Sequence, residues 1–319
     1  MDRRHDLDTD EIVLAPESQE FDEPEPLSSR VRVDLGGSSH TGAVRPNNED
    51  AFLVCRLGRF IDPLLGSLPH GPVPGRREHI AHLMMVADGM GGAAAGEVAS
   101  SLALRTGFQL VLRAVKWALV LERPASRERE IEESTERAVG YLRRIDEILS
   151  DHARADPSLS GMGTTLTAAY AIGNHMYLVH VGDSRAYLFR DGALRQLTRD
   201  HTVAQDLVDA GRLAPEQIKG HRLRHVLTQA LGRRGGEVQV EVHVVELVDG
   251  DRLVLCTDGL TDMVEDDAIA DTLAHVPGAS AACDRLTELA LQRGGRDNIT
   301  VVIAGFAIPA QGSESDAGV

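Results

Sequence analysis

Acidic residues stand at the ends of apolar, strand-like runs in five places along this chain. In Leu83-Met84-Met85-Val86-Ala87-Asp88-Gly89-Met90-Gly91-Gly92, a run suited to a buried strand ends in a carboxylate and opens into glycines. A charge at such a point is costly unless compensated, and a metal ion is one common compensation. Glycine after the acid lets a backbone carbonyl approach the same ion. A solitary Asp-Gly would by default be a helix cap. Here the arrangement recurs. Leu253-Val254-Leu255-Cys256-Thr257-Asp258-Gly259 is a second strand ending in Asp-Gly, and Arg296-Asp297-Asn298 precedes a third run. Asn47-Asn48-Glu49-Asp50 precedes a fourth, and Gly182-Asp183-Ser184-Arg185 sits at a turn between two more. Strands lying side by side would place these acids around one cleft, where only cations would stop them repelling one another. The candidate donors are all oxygens, and the 13 histidines form no HExxH pattern, which favours Mg2+ or Mn2+ over Zn2+. A hard binuclear site lowers the pKa of a bridging water and stabilises both oxygens of an in-line displacement at phosphorus. Phosphomonoester hydrolysis, among the slowest uncatalysed reactions, is where such a site is needed.

The elements that must position these acids follow from periodicity. Strand-like runs occupy 51–55, 83–87, 164–172, 176–181, 185–189, 238–245, 252–256 and 299–303. Helical spacing covers 93 to about 121, 127 to about 151 with the stripe Ile131, Val139, Leu142, Ile145 and Leu149, and then 266–275 and 280–292. The turns Gly173-Asn174 and Asp191-Gly192 are too short for anything but antiparallel pairing. The expected architecture is therefore helices packed outside an antiparallel sheet core, not a doubly wound parallel sheet. Residues 58–79, rich in Pro and Gly, read as a surface loop, and no internal repeat is present.

The 319 residues could form one large catalytic domain or two small ones, and a 42% hydrophobic content is ample for a buried core. A net charge of −16 disfavours nucleic acid and anionic membrane as partners, although bound cations would still admit a phosphorylated substrate. No run reaches the roughly 20 apolar residues of a membrane span. Cys55, Cys256 and Cys283 lie in or beside apolar runs without CxxC spacing, which fits reduced thiols and a cytoplasmic location. Residues 1–30 are acidic and proline-containing and read as a disordered arm, 31–308 as the catalytic domain, and 309–319 as a flexible tail.

Six segments in order resemble the motif set of bacterial type 2C protein serine/threonine phosphatases, from about residue 32 to 306. They are Gly42-Ala43-Val44-Arg45-Pro46-Asn47-Asn48-Glu49-Asp50-Ala51, Asp88-Gly89-Met90-Gly91-Gly92, Gly161-Met162-Gly163-Thr164-Thr165-Leu166, Gly182-Asp183-Ser184-Arg185, Thr257-Asp258-Gly259-Leu260 and Gly295-Arg296-Asp297-Asn298-Ile299-Thr300. The resemblance implies an α+β, four-layer αββα sandwich of two antiparallel sheets flanked by helix pairs, with a binuclear metal site at one end. It implies two Mn2+ or Mg2+ ions and a weaker third. In that arrangement Asp88 bridges both cations, the Gly89 carbonyl joins one, and Asp258 with Asp297 bind the other. Glu49 and Asp50 act at the first cation, Asp183 serves the third, and Arg45 binds the phosphate. The family's flap corresponds to about 200–231. Many eukaryotic members carry His where this chain has Met90, so the leaving-group acid is unassigned; a metal-bound water is one option, and His40 and His201 are guesses. The implied partners are phosphoproteins made by serine/threonine kinases, the implied state is a monomer, and no covalent phosphoenzyme is expected.

Two other readings are open to the same residues. Gly89-Met90-Gly91-Gly92-Ala93-Ala94 fits a GxGxxA dinucleotide fingerprint, but a long helix and then a second one follow where a parallel strand and its acid should come. A non-catalytic relative that binds partners should lose metal ligands, whereas Asp88, Asp258 and Asp297 are all retained.

Overall fold

The computed structural model describes residues 25–62, 64, 77–91, 95–113, 127–233 and 238–310. Eleven strands among the described residues form two antiparallel sheets. They are β1 Arg32–His40, β2 Asp50–Ile61, β3 Arg77–Met90, β4 Gly163–Thr164, β5 Leu166–Ile172, β6 His175–Val181, β7 Arg185–Arg190, β8 Ala193–Gln196, β9 Glu241–Glu246, β10 Arg252–Cys256 and β11 Ile299–Ala307. One sheet runs β1-β11-β10-β7-β8; the other runs β2-β3-β5-β6-β9, with β4 pairing β3. The described helices are α1 Leu27–Arg30, α2 Ala95–Arg113, α3 Arg127–Ala155, α4 Val203–Asp209, α5 Asp258–Thr261, α6 Asp266–His275 and α7 Ala279–Gln292.

Side chains alternate across each strand, and on the central strands β3, β5, β6, β7, β10 and β11 both faces are buried, so their sequences read as largely unbroken apolar runs. On β3, Met84 and Val86 enter the layer between the sheets with Leu178, Leu255 and Val302. Leu83, Met85 and Ala87 face the other way, against α2 and α3, where Leu142, Ile145 and Leu149 form the predicted stripe. On the opposite side Val254, Cys256, Val301 and Ile303 pack beneath α6 and α7 through Ile269, Leu273, Cys283 and Leu286. The result is the expected four-layer αββα sandwich.

Three boundaries differ from expectation. Residues 58–61 and 77–79 are not loop: the β2–β3 ladder continues through Gly58↔Ile80, Arg59↔His79, Phe60↔Glu78 and Ile61↔Arg77. Backbone pairing along a hairpin extends strands beyond the stretch whose side chains are buried. β1 is absent from the expected runs because Gly36, Gly37 and Ser38 dilute its apolar pattern; its full-length pairing with β11 supplies the order instead. Leu27–Arg30, within the stretch read as a disordered arm, forms a helical turn with Ser28 buried. Residues 1–24 of that arm, 65–76, the end of the first long helix beyond 113 and the tail from 311 lie outside the described residues.

Met84 is fully buried between the sheets. Met84→Ala is expected to lower the unfolding free energy by about 2–5 kcal/mol, read from urea denaturation, because the sandwich leaves little room to collapse around the lost side chain.

Candidate metal centre

The parity that sends Met84 and Val86 into the inter-sheet layer also sends Asp88 there, at its end. Asp88 lies directly opposite Asp50 on β2. Its backbone is fixed from the neighbouring turn: its N–H donates to Thr165 Oγ1 at 2.9 Å, and its carbonyl accepts from Thr164 Oγ1 at 2.8 Å. The same end of the layer holds Thr257 and Thr300. Thr257 Oγ1 donates to the Asp50 carboxylate at 2.8 Å and accepts from the Thr300 N–H at 3.1 Å.

Close backbone crossings bring the remaining acids in. A Cβ on Gly259 would lie 1.8 Å from the Asn298 carbonyl oxygen, so only glycine lets Asp258 sit against the Asp297 loop. Asn298 then clamps that loop to the 41–49 segment. Its Oδ1 accepts from the Glu49 N–H, and its Nδ2 donates to the carbonyls of Thr41 and Asn47, each at 2.8 Å. The Gly89 N–H donates to the Glu49 carbonyl at 3.2 Å. A Cβ on Gly96, in the first turn of α2, would meet the Glu49 carboxylate at 2.8 Å, which places that acid beside Gly89. Arg45 Nη2 donates to Asp297 Oδ2 at 2.5 Å while half of the Arg45 side chain stays in solvent.

The residues proposed from the sequence, Arg45, Glu49, Asp50, Asp88, Gly89, Asp183, Asp258 and Asp297, lie close together: the charges of Asp50, Asp183, Asp258 and Asp297 reach Asp88, and those of Glu49, Asp258 and Asp297 reach Arg45. Burial pushes the Asp88 carboxyl well above its ordinary value, and the charges of Asp50, Asp258, Asp183 and Asp297 add to the push. Asp50 rises to about 7, chiefly by burial, with its threonine hydrogen bonds opposing and Asp258 and Asp297 reinforcing. Asp183 is likewise raised, first by burial and then by Asp258 and Asp200. Crowded oxygen donors of this kind are what hard divalent cations take as ligands, and the cations' charge would offset the mutual repulsion of the carboxylates, so the residues present fit two such ions.

Other side chains had little or no sequence signal. The segment 200–231, expected to be the flap, contributes Ile218, Lys219 and Arg224 to the lining of a cleft of about 420 Å3 that Asp183, Asp258 and Asp262 also line. From it His225 Nδ1 meets Asp258 at 3.2 Å, and Arg224 meets Asp262 at 3.0 Å. Nothing in the surrounding pattern marks His225. Thr165, Thr257, Thr300 and Asn298 hold the acids; all four fall within the motif segments, but nothing in those segments says which acid each one holds. His40 Nδ1 accepts from the Gly42 N–H at 2.9 Å.

Residues 75–292, more than half of the chain, match the sequence model of protein phosphatase 2C. The chain belongs to the protein phosphatase 2C family. Over 224 residues it is 43% identical to the serine/threonine protein phosphatase PstP of Mycobacterium tuberculosis, covering 70% of this chain and 40% of that protein. It therefore spans less than half the length of that relative. Over 221 residues it is 36% identical to the serine/threonine phosphatase Stp of Listeria welshimeri, covering 69% of this chain and 83% of that one. The crystal structure of the catalytic domain of PstP in complex with two manganese ions shares the fold with a TM-score of 0.65 at 35% identity, covering 87% of this chain and 99% of that one.

The raised carboxyl of Asp50 gives a signed prediction. A group that binds its proton more tightly folded than unfolded favours folding at low pH, and that contribution is lost as pH rises from its ordinary 3.8 through about 7. Asp50→Asn keeps the acceptor for Thr257 and removes the charge. Without metal, the variant is expected to melt above the parent at about pH 8, with the gap closing toward about pH 4; calorimetry across that range checks it.

Proposed function

We propose that this chain hydrolyses phosphoserine and phosphothreonine in proteins, using two Mn2+ or Mg2+ ions held at the end of the sandwich. The observation that carries the reading is the convergence of Asp50, Asp183, Asp258 and Asp297 on Asp88, which faces Asp50 across two paired strands. In a family of metal-dependent phosphatases, such a set retained whole supports catalysis over partner binding alone. Asp88, the Gly89 carbonyl, Asp258 and Asp297 would hold the two ions, with Glu49 and Asp50 at the first and Asp183 at a weaker third. The ions would supply Lewis-acid stabilisation of phosphoryl charge and a water activated near neutral pH.

The chain's own residues bind and orient. Arg45 spends one N–H on Asp297 and keeps further donors of its fork in solvent, where two phosphate oxygens could take them. Thr257 and Thr300 hydrogen-bond to the Asp50 carboxylate and hold it opposite Asp88. Asn298 keeps the Glu49 and Asp297 segments in register. Substrates would be phosphoproteins made by serine/threonine kinases, and the enzyme would act as a monomer. The three free cysteines fit a cytoplasmic setting, and no helix among the described residues is long and apolar enough to cross a membrane.

Asp88→Ala and Asp258→Ala are each expected to cut Mn2+-dependent hydrolysis of a phosphothreonine peptide by ~100-fold or more, beyond the loss typical of a residue that only supports a ligand. Circular dichroism should stay unchanged, and retained activity would remove the residue from the site. Arg45→Ala should chiefly raise KM, by ~10-fold or more, as loss of a charged hydrogen bond would. An unchanged KM would take Arg45 out of phosphate binding.

A further inference from the structure

Asp183 sits on a corner held by two buried histidines outside the set so far assigned. His180 is the last inward-facing residue of β6 and is fully buried. Its Nε2 lies 3.0 Å from the Gly182 carbonyl and 3.1 Å from the Arg199 carbonyl, while Nδ1 lies 2.8 Å from Thr167 Oγ1. Carbonyls only accept, so the proton is on Nε2 and Nδ1 accepts from the threonine. His201, the second residue of the flap, takes the other side. Its Nδ1 accepts from the Gly182 N–H at 3.1 Å, and its own N–H donates to the Gly182 carbonyl at 2.7 Å. Both backbone groups of the residue that launches Asp183 are thus held by these histidines. Only glycine fits this position: its φ is +117°, and a Cβ there would meet Thr165 at 2.5 Å.

His201 also closes the base of the flap. The Thr228 N–H donates to its carbonyl at 2.9 Å, and Thr202 beside it caps α4 through the Gln205 N–H at 3.2 Å. The donor atoms of His180, His201 and Glu241 lie within 4.8 Å of one another, a spacing a metal could use. The hydrogen bonds exclude that use, because the His180 Nε2 lone pair is replaced by a proton shared between two carbonyls. Glu241 is itself engaged by the Arg199 N–H at 3.0 Å and by His243 at 2.5 Å.

We propose that His201, backed by His180, is a positioning residue that sets the Asp183 corner and the base of the flap together, so that neither can shift alone. The inference deepens the phosphatase reading and rests on it only for the role of Asp183. It places the flap, which lines part of the cleft, in mechanical register with one acid of the metal centre.

Amide hydrogen exchange on the full chain tests it, with Mn2+ calorimetry as a second readout. In His201→Leu, amides of the flap at 200–231 and of the corner at 182–185 should both exchange ~10-fold faster or more, since local opening governs exchange. Mn2+ binding should weaken as much as in Asp183→Asn. His201→Asn, whose Oδ1 can accept from the Gly182 N–H, should stay within ~3-fold of the parent in exchange. Met84→Ala, which destabilises the fold from the sandwich interior, should leave the ratio of flap to core exchange unchanged. Loosening of the flap without the corner, unaltered exchange in His201→Leu, or equal loosening in Met84→Ala would overturn the proposal. Mn2+ binding that matches the parent in His201→Leu would also overturn it. A parent that binds no Mn2+ would instead sink the catalytic reading, and the exchange data would still decide the coupling.

Discussion

A carboxylate out of reach of water resists ionisation, and each further carboxylate placed near it strengthens the resistance. Asp50 and Asp88 face each other across two strands, and Asp183, Asp258 and Asp297 press on the same point. Protonation relieves the repulsion but removes the donors that oxygen-seeking cations require. Divalent ions relieve it and keep the donors, which is why this one interaction organises the cleft. The surrounding structure makes the alternatives expensive. Threonine hydroxyls, backbone amides and the Asn298 side chain fix where each acid can go, so the cluster cannot spread to lower its own repulsion.

The sandwich supplies this rigidity through simple alternation. Residues of one parity on β3, β5, β6 and β11 fill the layer between the sheets with Met84, Val86, Ala169, Leu178 and Val302. At one end the same parity yields Asp88, Thr167, His180 and Thr300, so the apolar layer turns polar without any change in backbone geometry. Glycine is required where segments cross: Gly259 against Asn298, and Gly89 against Glu49 and Gly96. The flap lines part of the cleft, tied by Arg224 to Asp262 and by His225 to Asp258.

Much of this was legible in the sequence because the site breaks local rules. Asp88 and Asp258 interrupt runs that would otherwise stay apolar, and β10 at Arg252–Cys256 and α6 at Asp266–His275 fall where periodicity puts them. The order of six motifs added the two-sheet arrangement. What stayed hidden depends on contacts between distant segments. Thr257 and Asp50 are 207 residues apart, and nothing near either one announces their hydrogen bond. β1 was obscured because its order comes from β11, not from its own glycine-rich composition. The sequence suggests for His201 only a proton donor's part, whereas its ring accepts from the Gly182 N–H beside Asp183.

The most direct test is a crystal of this chain grown with Mn2+ and measured at the manganese absorption edge. The account predicts two strong anomalous peaks between Asp88, Asp258 and Asp297, one of them within coordinating distance of the Gly89 carbonyl. No peak there, or manganese bound only at another surface while these acids stay protonated and in contact, would contradict it.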